Sequence, residues 1–161
     1  MTKFLTPSRR GFLALSGMGL ALAGCSTVNV LAPTPGATDQ TAAALPLVNE
    51  LRRKSGLSAL SSVNPARKAA AVQAVRMAKA KEMQHLIGLG DSFYNRMKAS
   101  DVTLPAAENI ASGQNEVERA VQAWIDSPKH LQNMLGSYSS LGVAVARASD
   151  GRAYWAMVLS N

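Results

Sequence analysis

Three side chains in this sequence have the chemistry of a functional site: His85, Glu108 and His130. The two histidines are the only ones in the chain. Two imidazoles and one carboxylate are the smallest set that can hold a metal ion or carry out acid–base chemistry. Spacing alone does not decide between these roles, because the chain has no HExxH motif and no cysteine pair, and nothing local brings His85 to His130.

An amphipathic helix between Glu108 and His130 can bring those two residues together. Its apolar face is formed at helical spacing by Val117, Val121, Trp124 and Ile125. A chain that folds back across this helix moves the Glu108 carboxylate towards the His130 imidazole. Trp124 itself is expected in the core.

Each of the three residues also has a purely structural interpretation. Glu108 can be a buried carboxylate that accepts backbone hydrogen bonds. His130 can be an ordinary residue at the start of a helix, with its ring hydrogen-bonded to Glu108. His85 can be an exposed histidine at the end of a helix, where the negative end of the helix dipole favours it.

Helices are expected to fill most of the chain after residue 40, and strands its end. Helices are predicted over residues 41–55, 64–85 and 92–99, from 114 or 115 through Trp124, and from Ser127 onward. A loop is predicted at 102–107, and strands at 109–111, 141–148 and 152–160. The buried positions predicted for the first two helices and the loop between them are Leu45, Val48, Leu51, Leu57, Leu60, Val72, Val75 and Ala78.

The last two strands are predicted to form an antiparallel hairpin. Asp150-Gly151 between them is a strong signal for a tight turn. Tyr154 and Trp155 are neighbours on the second strand and therefore point to opposite faces of the sheet. Helices followed by a hairpin indicate an α+β fold, with helices packed on an antiparallel sheet.

Residues 1–24 have the pattern of an export signal. Residues 2–10 are basic, and the apolar run at 12–23 is too short to span a bilayer. Ser8-Arg9-Arg10-Gly11-Phe12-Leu13 resembles a twin-arginine signal, which exports proteins already folded. Ordinary export with an incidental arginine pair is the alternative.

Cys25, the only cysteine in the chain, is predicted to carry lipid. Leu22-Ala23-Gly24-Cys25 resembles a lipobox, and a lone thiol cannot form an internal disulfide; the alternative is a small buried residue. Two or three acyl chains would anchor the protein stably to the cell membrane or the outer membrane. Residues 25–40 are then a flexible tether, and residues 41–161 are a domain held in the periplasm or outside the cell.

Net charge argues against nucleic acid as a partner. Removing the signal takes away Lys3, Arg9 and Arg10, which lowers the net charge from +7 to +4. The remaining basic residues are scattered, and an exported protein does not meet nucleic acid in the cell.

A series of motifs follows the leader in a fixed order. They are Leu47-Val48-Asn49-Glu50-Leu51-Arg52-Arg53 with Gly56-Leu57 and Leu60, Met83-Gln84-His85, Ala107-Glu108-Asn109-Ile110-Ala111, Trp124 with Ser127-Pro128-Lys129-His130-Leu131-Gln132-Asn133-Met134-Leu135, Leu141-Gly142-Val143-Ala144, and Tyr154-Trp155. Over residues 43–161 this order resembles the CAP superfamily, the SCP-like domain of cysteine-rich secretory proteins, antigen 5 and plant pathogenesis-related proteins, in a short bacterial lipoprotein form.

The resemblance implies an α-β-α sandwich with a central antiparallel sheet. It also implies that His85, Glu108 and His130 line one cleft, where in some members the histidines bind zinc. Many eukaryotic members add a second glutamate near the tryptophan, but Glu116 and Glu118 are not at a matching spacing. The cysteines that stabilise secreted eukaryotic relatives are absent too, so packing must hold the core.

Two functions are consistent with these residues. The first is a lipid-anchored binding domain whose cleft takes a small molecule, a lipid or an envelope component, because no serine lies in a G-x-S-x-G context and Cys25 is used by the anchor. The second is a zinc-dependent, peptidase-like hydrolase in which His85 and His130 hold the metal. Glu108 would then be the general base or a third ligand.

Overall fold

The centre of the fold is a five-stranded sheet. The computed structural model describes Met1 and residues 34–161, so the predicted signal, Cys25 and most of the tether lie outside the described residues. The strands are β1 Ala37–Asp39, β2 Ser61–Ser62, β3 Ala106–Ser112, β4 Ser140–Arg147 and β5 Ala153–Ser160. Their order in the sheet is β1-β4-β5-β3, and the short β2 pairs in parallel with β4. The helices are α1 Thr41–Lys54, α2 Asn64–Ala80, α3 Phe93–Ala99, α4 Val117–Ile125 and α5 Pro128–Met134.

The predicted hairpin is confirmed as β4 and β5, which pair antiparallel. Gly151 adopts φ +85° in the turn between them, a conformation that glycine reaches without steric cost. All eight residues of β5 are buried, so both faces of the sheet are covered. Trp155 packs in the cluster under α1, α4 and α5, and Tyr154 packs in the cluster under α2 and α3. The structure is therefore the expected α-β-α sandwich.

Helix α2 packs on the sheet through alanines rather than through larger side chains. The sequence predicts Val72 and Val75 on its buried side, but both are only half-buried. The buried face is instead formed by Ala66, Ala69, Ala70, Ala71, Gln73, Ala74, Met77 and Ala78. Gly142 on β4 explains the preference for small residues, because a Cβ there would lie 2.2 Å from the backbone carbon of Ala66.

The folded domain begins earlier than predicted. The sequence assigns residues 37–40 to the tether, yet Ala37–Asp39 forms the edge strand β1 and pairs antiparallel with β4. The carboxylate of Asp39 accepts hydrogen bonds from the Thr41 backbone N–H (2.9 Å) and from the Thr41 hydroxyl (2.6 Å). Its second oxygen accepts from Nε of Arg67 on α2 at 2.6 Å. These contacts fix the start of the domain, although the segment shows little apolar pattern.

Several predicted bounds need correction. Helix α2 ends at Ala80, five residues before the predicted end, because Lys81 adopts a left-handed conformation with φ 57°. Strand β3 is longer than predicted and takes in the end of the predicted loop, whereas α4 begins later, at Val117. Leu57 is 37 % exposed and is not a core anchor, whereas Leu60 is buried as predicted.

Arg52 joins α1 to the end of α5 and the segment after it through hydrogen bonds. Its side chain is buried, and among residues 34–161 no carboxylate pairs with it; its nitrogens donate instead to backbone carbonyls. The acceptors are the carbonyl oxygens of Ser58, Met134, Gly136 and Tyr138. Among the described residues no helix is long and apolar enough to cross a membrane.

Candidate functional site

Glu108 lies on β3, the edge strand of the sheet, with its side chain on the face covered by α2 and α3. The side chain is 2 % exposed and its carboxylate has positive or hydrogen-bonding partners on both oxygens. Oε1 is 3.0 Å from Nδ1 of His85. Arg96 of α3 donates from Nη1 to Oε2 at 2.8 Å and from Nη2 to Oε1 at 3.1 Å. The carboxylate is therefore held by a guanidinium and an imidazole together.

Arg96 is a site residue that the sequence analysis missed. It belongs to a row of alternating charges in which Asp91 lies between Arg76 and Arg96 and ion-pairs with both. Burial alone would raise the pKa of Asp91, but hydrogen bonds from Arg76 and the Ile87 backbone, with the charges of both arginines, lower it below its ordinary value. The contacts cross loops between α2, α3 and β3, so no periodic signal in the sequence marks them.

His85 lies in the loop after α2 rather than at the end of that helix as predicted. Its side chain is 50 % exposed. Its backbone carbonyl accepts from Nη2 of Arg96 at 2.9 Å and from Nε2 of Gln73 at 3.2 Å. Gln73 is completely buried on α2 and is another residue that sequence reasoning did not single out. The imidazole is thus held through its backbone while its outer edge faces solvent.

His130 does not pair with Glu108. It lies on α5, half-buried, and within residues 34–161 no hydrogen bond joins its ring to the carboxylate. Its backbone carbonyl accepts from Nδ2 of Asn109 at 3.0 Å, and Asn133 donates to Oδ1 of Asn109 at 2.8 Å. Burial, and secondarily the positive charge of His85, lowers the pKa of His130 below its ordinary value. The neutral form of His130 is therefore favoured.

Two grooves follow one another along β3 and divide the predicted cleft residues between them. The Glu108 groove, of about 430 Å³, is lined by His85, Leu86, Phe93, Ala107, Glu108 and Asn133. The Trp124 groove, of about 370 Å³, includes Met83, Ser112, Gln114, Trp124, His130 and Arg152 in its lining. The first contains the Glu108 carboxylate and the His85 imidazole, and the second contains the His130 imidazole.

The site as arranged does not fit a metal ion. Within the described part of the chain, no three His, Cys, Asp or Glu side chains are grouped so that they could hold one. Glu108 also has a guanidinium on both oxygens, which competes with a cation for the same lone pairs. Glu116 and Glu118, considered as the second acid, are exposed at the start of α4 and line neither groove.

The sandwich, with Glu108 on an edge strand and His85 in the loop beside it, has the fold of an SCP-like domain. The chain belongs to the CAP family of cysteine-rich secretory proteins, whose family model matches residues 45–159.

Similar proteins of known sequence and structure come from bacteria. The uncharacterised protein YkwD of Bacillus subtilis is 31% identical over 106 residues, which is 65% of this chain and 41% of YkwD. The chain therefore spans less than half the length of that relative. An outer surface protein of Borrelia burgdorferi has a TM-score of 0.68 at 21% identity, covering 78% of this chain and 96% of that one. An extracellular SCP-domain protein of Bacillus anthracis has a TM-score of 0.65 at 21% identity, covering 74% and 39%.

Proposed function

We propose that this protein is a lipid-anchored binding domain of the bacterial cell envelope, and that its Glu108 groove takes a small amphiphilic ligand, lipid or envelope component. One observation carries the proposal: a carboxylate that is hydrogen-bonded on both oxygens and a half-exposed imidazole lie in a groove beside the apolar side chains of Leu86 and Phe93. The polar pair would orient the ligand, and the apolar side chains would supply most of the binding free energy.

The apolar side chains are concentrated on one segment. Most of the large exposed hydrophobic residues of the described chain lie between residues 83 and 94, namely Met83, Leu86, Leu89 and Tyr94. Leu86 is 55 % exposed and lines the Glu108 groove together with Phe93. Leu86 and Phe93 therefore give the Glu108 groove an apolar wall beside its polar pair, which is a feature of binding surfaces.

Binding is favoured over hydrolysis by the state of Glu108. A general base must direct a lone pair at its substrate or water, but the Glu108 carboxylate already makes three hydrogen bonds, to Arg96 and His85, and its side chain is only 2 % exposed. In the described residues, no hydroxyl or thiol is hydrogen-bonded to either imidazole, so neither histidine has a nucleophile to activate.

Calorimetry with zinc separates the binding domain from the hydrolase. The purified Cys25→Ser chain, His85→Ala and His130→Ala would be titrated with zinc. We expect no tight one-to-one binding in any of the three. One-to-one binding that both histidine substitutions abolish would contradict this expectation and favour the zinc-dependent hydrolase.

Ligand binding can be tested with dodecanoate, a short single-chain amphiphile, added to the Cys25→Ser chain below its micelle concentration. Leu86→Asp places a charge in the Glu108 groove and should weaken binding at least about tenfold, the equivalent of about 1.4 kcal/mol. Leu57→Asp is the matched control, because Leu57 is an exposed leucine that does not line the groove. Equal binding by both variants would count against the proposed groove.

Export and lipid anchoring are supported by the leader motifs and by the described location of similar proteins, one an outer surface protein and one extracellular. Labelling cells with an alkyne fatty acid tests the anchor directly. We expect label on the wild-type protein and none on Cys25→Ser, which should move from the membrane fraction to the soluble fraction. A Cys25→Ser protein that stays with the membrane would show that another element holds it there.

A further inference from the structure

Two residues that line the Trp124 groove have a side-chain hydrogen-bond donor and acceptor that the described protein leaves without partners. In the part of the chain that the structure describes, Nε1 of Trp124 and Oε1 of Gln114 are both buried and make no hydrogen bond. Trp124 has no exposed surface at all. The other indole is different, because Nε1 of Trp155 donates to the backbone carbonyl of Gln114 at 2.8 Å.

An unpartnered buried polar atom is costly, at about 1–3 kcal/mol each, so two beside one groove need a reason. Both residues line the same groove of about 370 Å³. Met83, Ile110 and Ala123 give it apolar walls, and His130 adds an imidazole whose neutral form is favoured by burial. At the same groove, Nη2 of Arg152 donates to the Ser112 hydroxyl at 3.0 Å. The other guanidinium nitrogens of Arg152 can donate to a second polar group of a ligand.

We propose that the Trp124 groove binds a secondary amide, whose carbonyl accepts from Nε1 of Trp124 and whose N–H donates to Oε1 of Gln114. This inference deepens the proposed function and rests on it, because it assigns the chemistry of a ligand to a binding domain. An anion would use only the donor, and a hydrocarbon would use neither atom. An amide satisfies both, and its methyl or side-chain carbon fits the apolar walls.

Two sources of this amide are chemically equivalent at the groove: the acetamido group of an N-acetylated amino sugar and the peptide bond of an envelope peptide. Two probes distinguish them, N-acetylglucosamine and N-acetylalanine methylamide. Glucose and acetate are the controls, because glucose offers hydroxyls without an amide and acetate offers acceptors without a donor.

The chain has only two tryptophans, so its indole N–H region in a ¹H–¹⁵N NMR spectrum has two signals. Trp155→Phe assigns them in the Cys25→Ser chain. We expect an amide probe to shift the Trp124 signal and slow its exchange with solvent, while the bonded Trp155 signal stays in place. Gln114→Leu removes the acceptor at similar size and should weaken amide binding about tenfold, the effect of one hydrogen bond.

The inference is overturned if neither amide moves the Trp124 signal, or if glucose or acetate moves it equally. It is also overturned if Gln114→Leu binds the amide as well as the parent chain does. The dodecanoate titration tells the two failures apart. If the amides have no effect but dodecanoate still binds in a Leu86-dependent way, only this inference is removed. If neither the amides nor dodecanoate bind, the proposed function is removed as well.

Discussion

Glu108 is a buried acid that forms an ion pair with Arg96. Arg96 donates to both of its oxygens, and the Arg96 side chain is itself only 9 % exposed. A buried ion pair adds little net stability over an apolar pair, but removing one partner leaves an uncompensated charge and is strongly destabilising. Arg96 therefore holds the Glu108 carboxylate in place and compensates its charge. A variant of Glu108 alone would test folding as much as ligand binding.

Replacing His85 should change the pKa of His130. His85→Ala removes the positive charge that contributes to lowering the pKa of His130, so we expect the titration midpoint of His130 to rise. ¹H NMR of the imidazole signals against pH measures it. Lys98→Ala removes a cation that lines neither groove and is the control. An unchanged midpoint in His85→Ala would mean that the two grooves are electrostatically independent.

Asp91 should make stability depend on acid pH. Its pKa is lower in the folded protein than the ordinary value of about 3.9, so its stabilisation is complete above that pH and is lost as the pH falls through the folded value. Asp91→Asn leaves Arg76 and Arg96 without their shared partner. We expect it to lower the free energy of unfolding by about 3 kcal/mol at neutral pH, and by less in acid.

Urea unfolding near neutral pH and near pH 3 measures this difference. Asp101→Asn is the control, because Asp101 is 84 % exposed and lies 3.8 Å from Lys68 in a surface ion pair. A constant penalty for Asp91→Asn at both pH values would argue against the titration of Asp91 as its cause.

Among the elements, those with strong local signals were predicted well from the sequence. The hairpin of β4 and β5, the short helix α3 after Ser92 and the helix α5 after Ser127-Pro128 are close to their predicted places. The errors share a cause, which is tertiary contact. Helix α2 selects alanine because Gly142 lies under it, and β1 exists because β4 offers it a free edge. At the site, motif order identified His85 and Glu108, but the partner Arg96 is set only by how the loops fold.

Gly142, in the middle of β4, should not tolerate replacement by any larger residue. A Cβ at this position would lie 2.2 Å from the backbone carbon and 2.3 Å from the backbone oxygen of Ala66, and backbone atoms of a packed helix cannot move aside. We expect Gly142→Ala to lower the free energy of unfolding by about 3 kcal/mol. Adding Ala66→Gly should not restore it, since the clash is with the backbone.

Gly88→Ala is the matched control for thermal or urea unfolding. Gly88 has φ +84°, and a Cβ added there would meet no atom within 4 Å, so its replacement adds only backbone strain of about 1 kcal/mol. Equal losses at the two positions would mean that α2 can lift from β4 at little cost.

At the scale of the molecule, the first strand closes one edge of the sheet and ties both helical layers to it. Asp39 bonds to Thr41 at the start of α1 and to Arg67 of α2. A chain that begins at Thr41 should therefore have a lower urea midpoint than one that begins at Thr34. We expect its free energy of unfolding to be lower by at least about 2 kcal/mol. Asp39→Asn in the longer chain separates the contribution of the carboxylate from that of the strand. Equal midpoints for the two chains would mean that residues 37–40 do not contribute to the stability of the domain.

Both tryptophans lie on the same side of the sheet, in the cluster formed with α1, α4 and α5. The alanine-lined side under α2 contains no tryptophan and has Tyr154 as its buried aromatic residue. Tryptophan fluorescence therefore reports the melting of one layer, while far-ultraviolet circular dichroism reports all the helices, including the 17 residues of α2. If the two signals change at different denaturant concentrations, the two faces of the sandwich unfold separately, and no added label is needed to detect it.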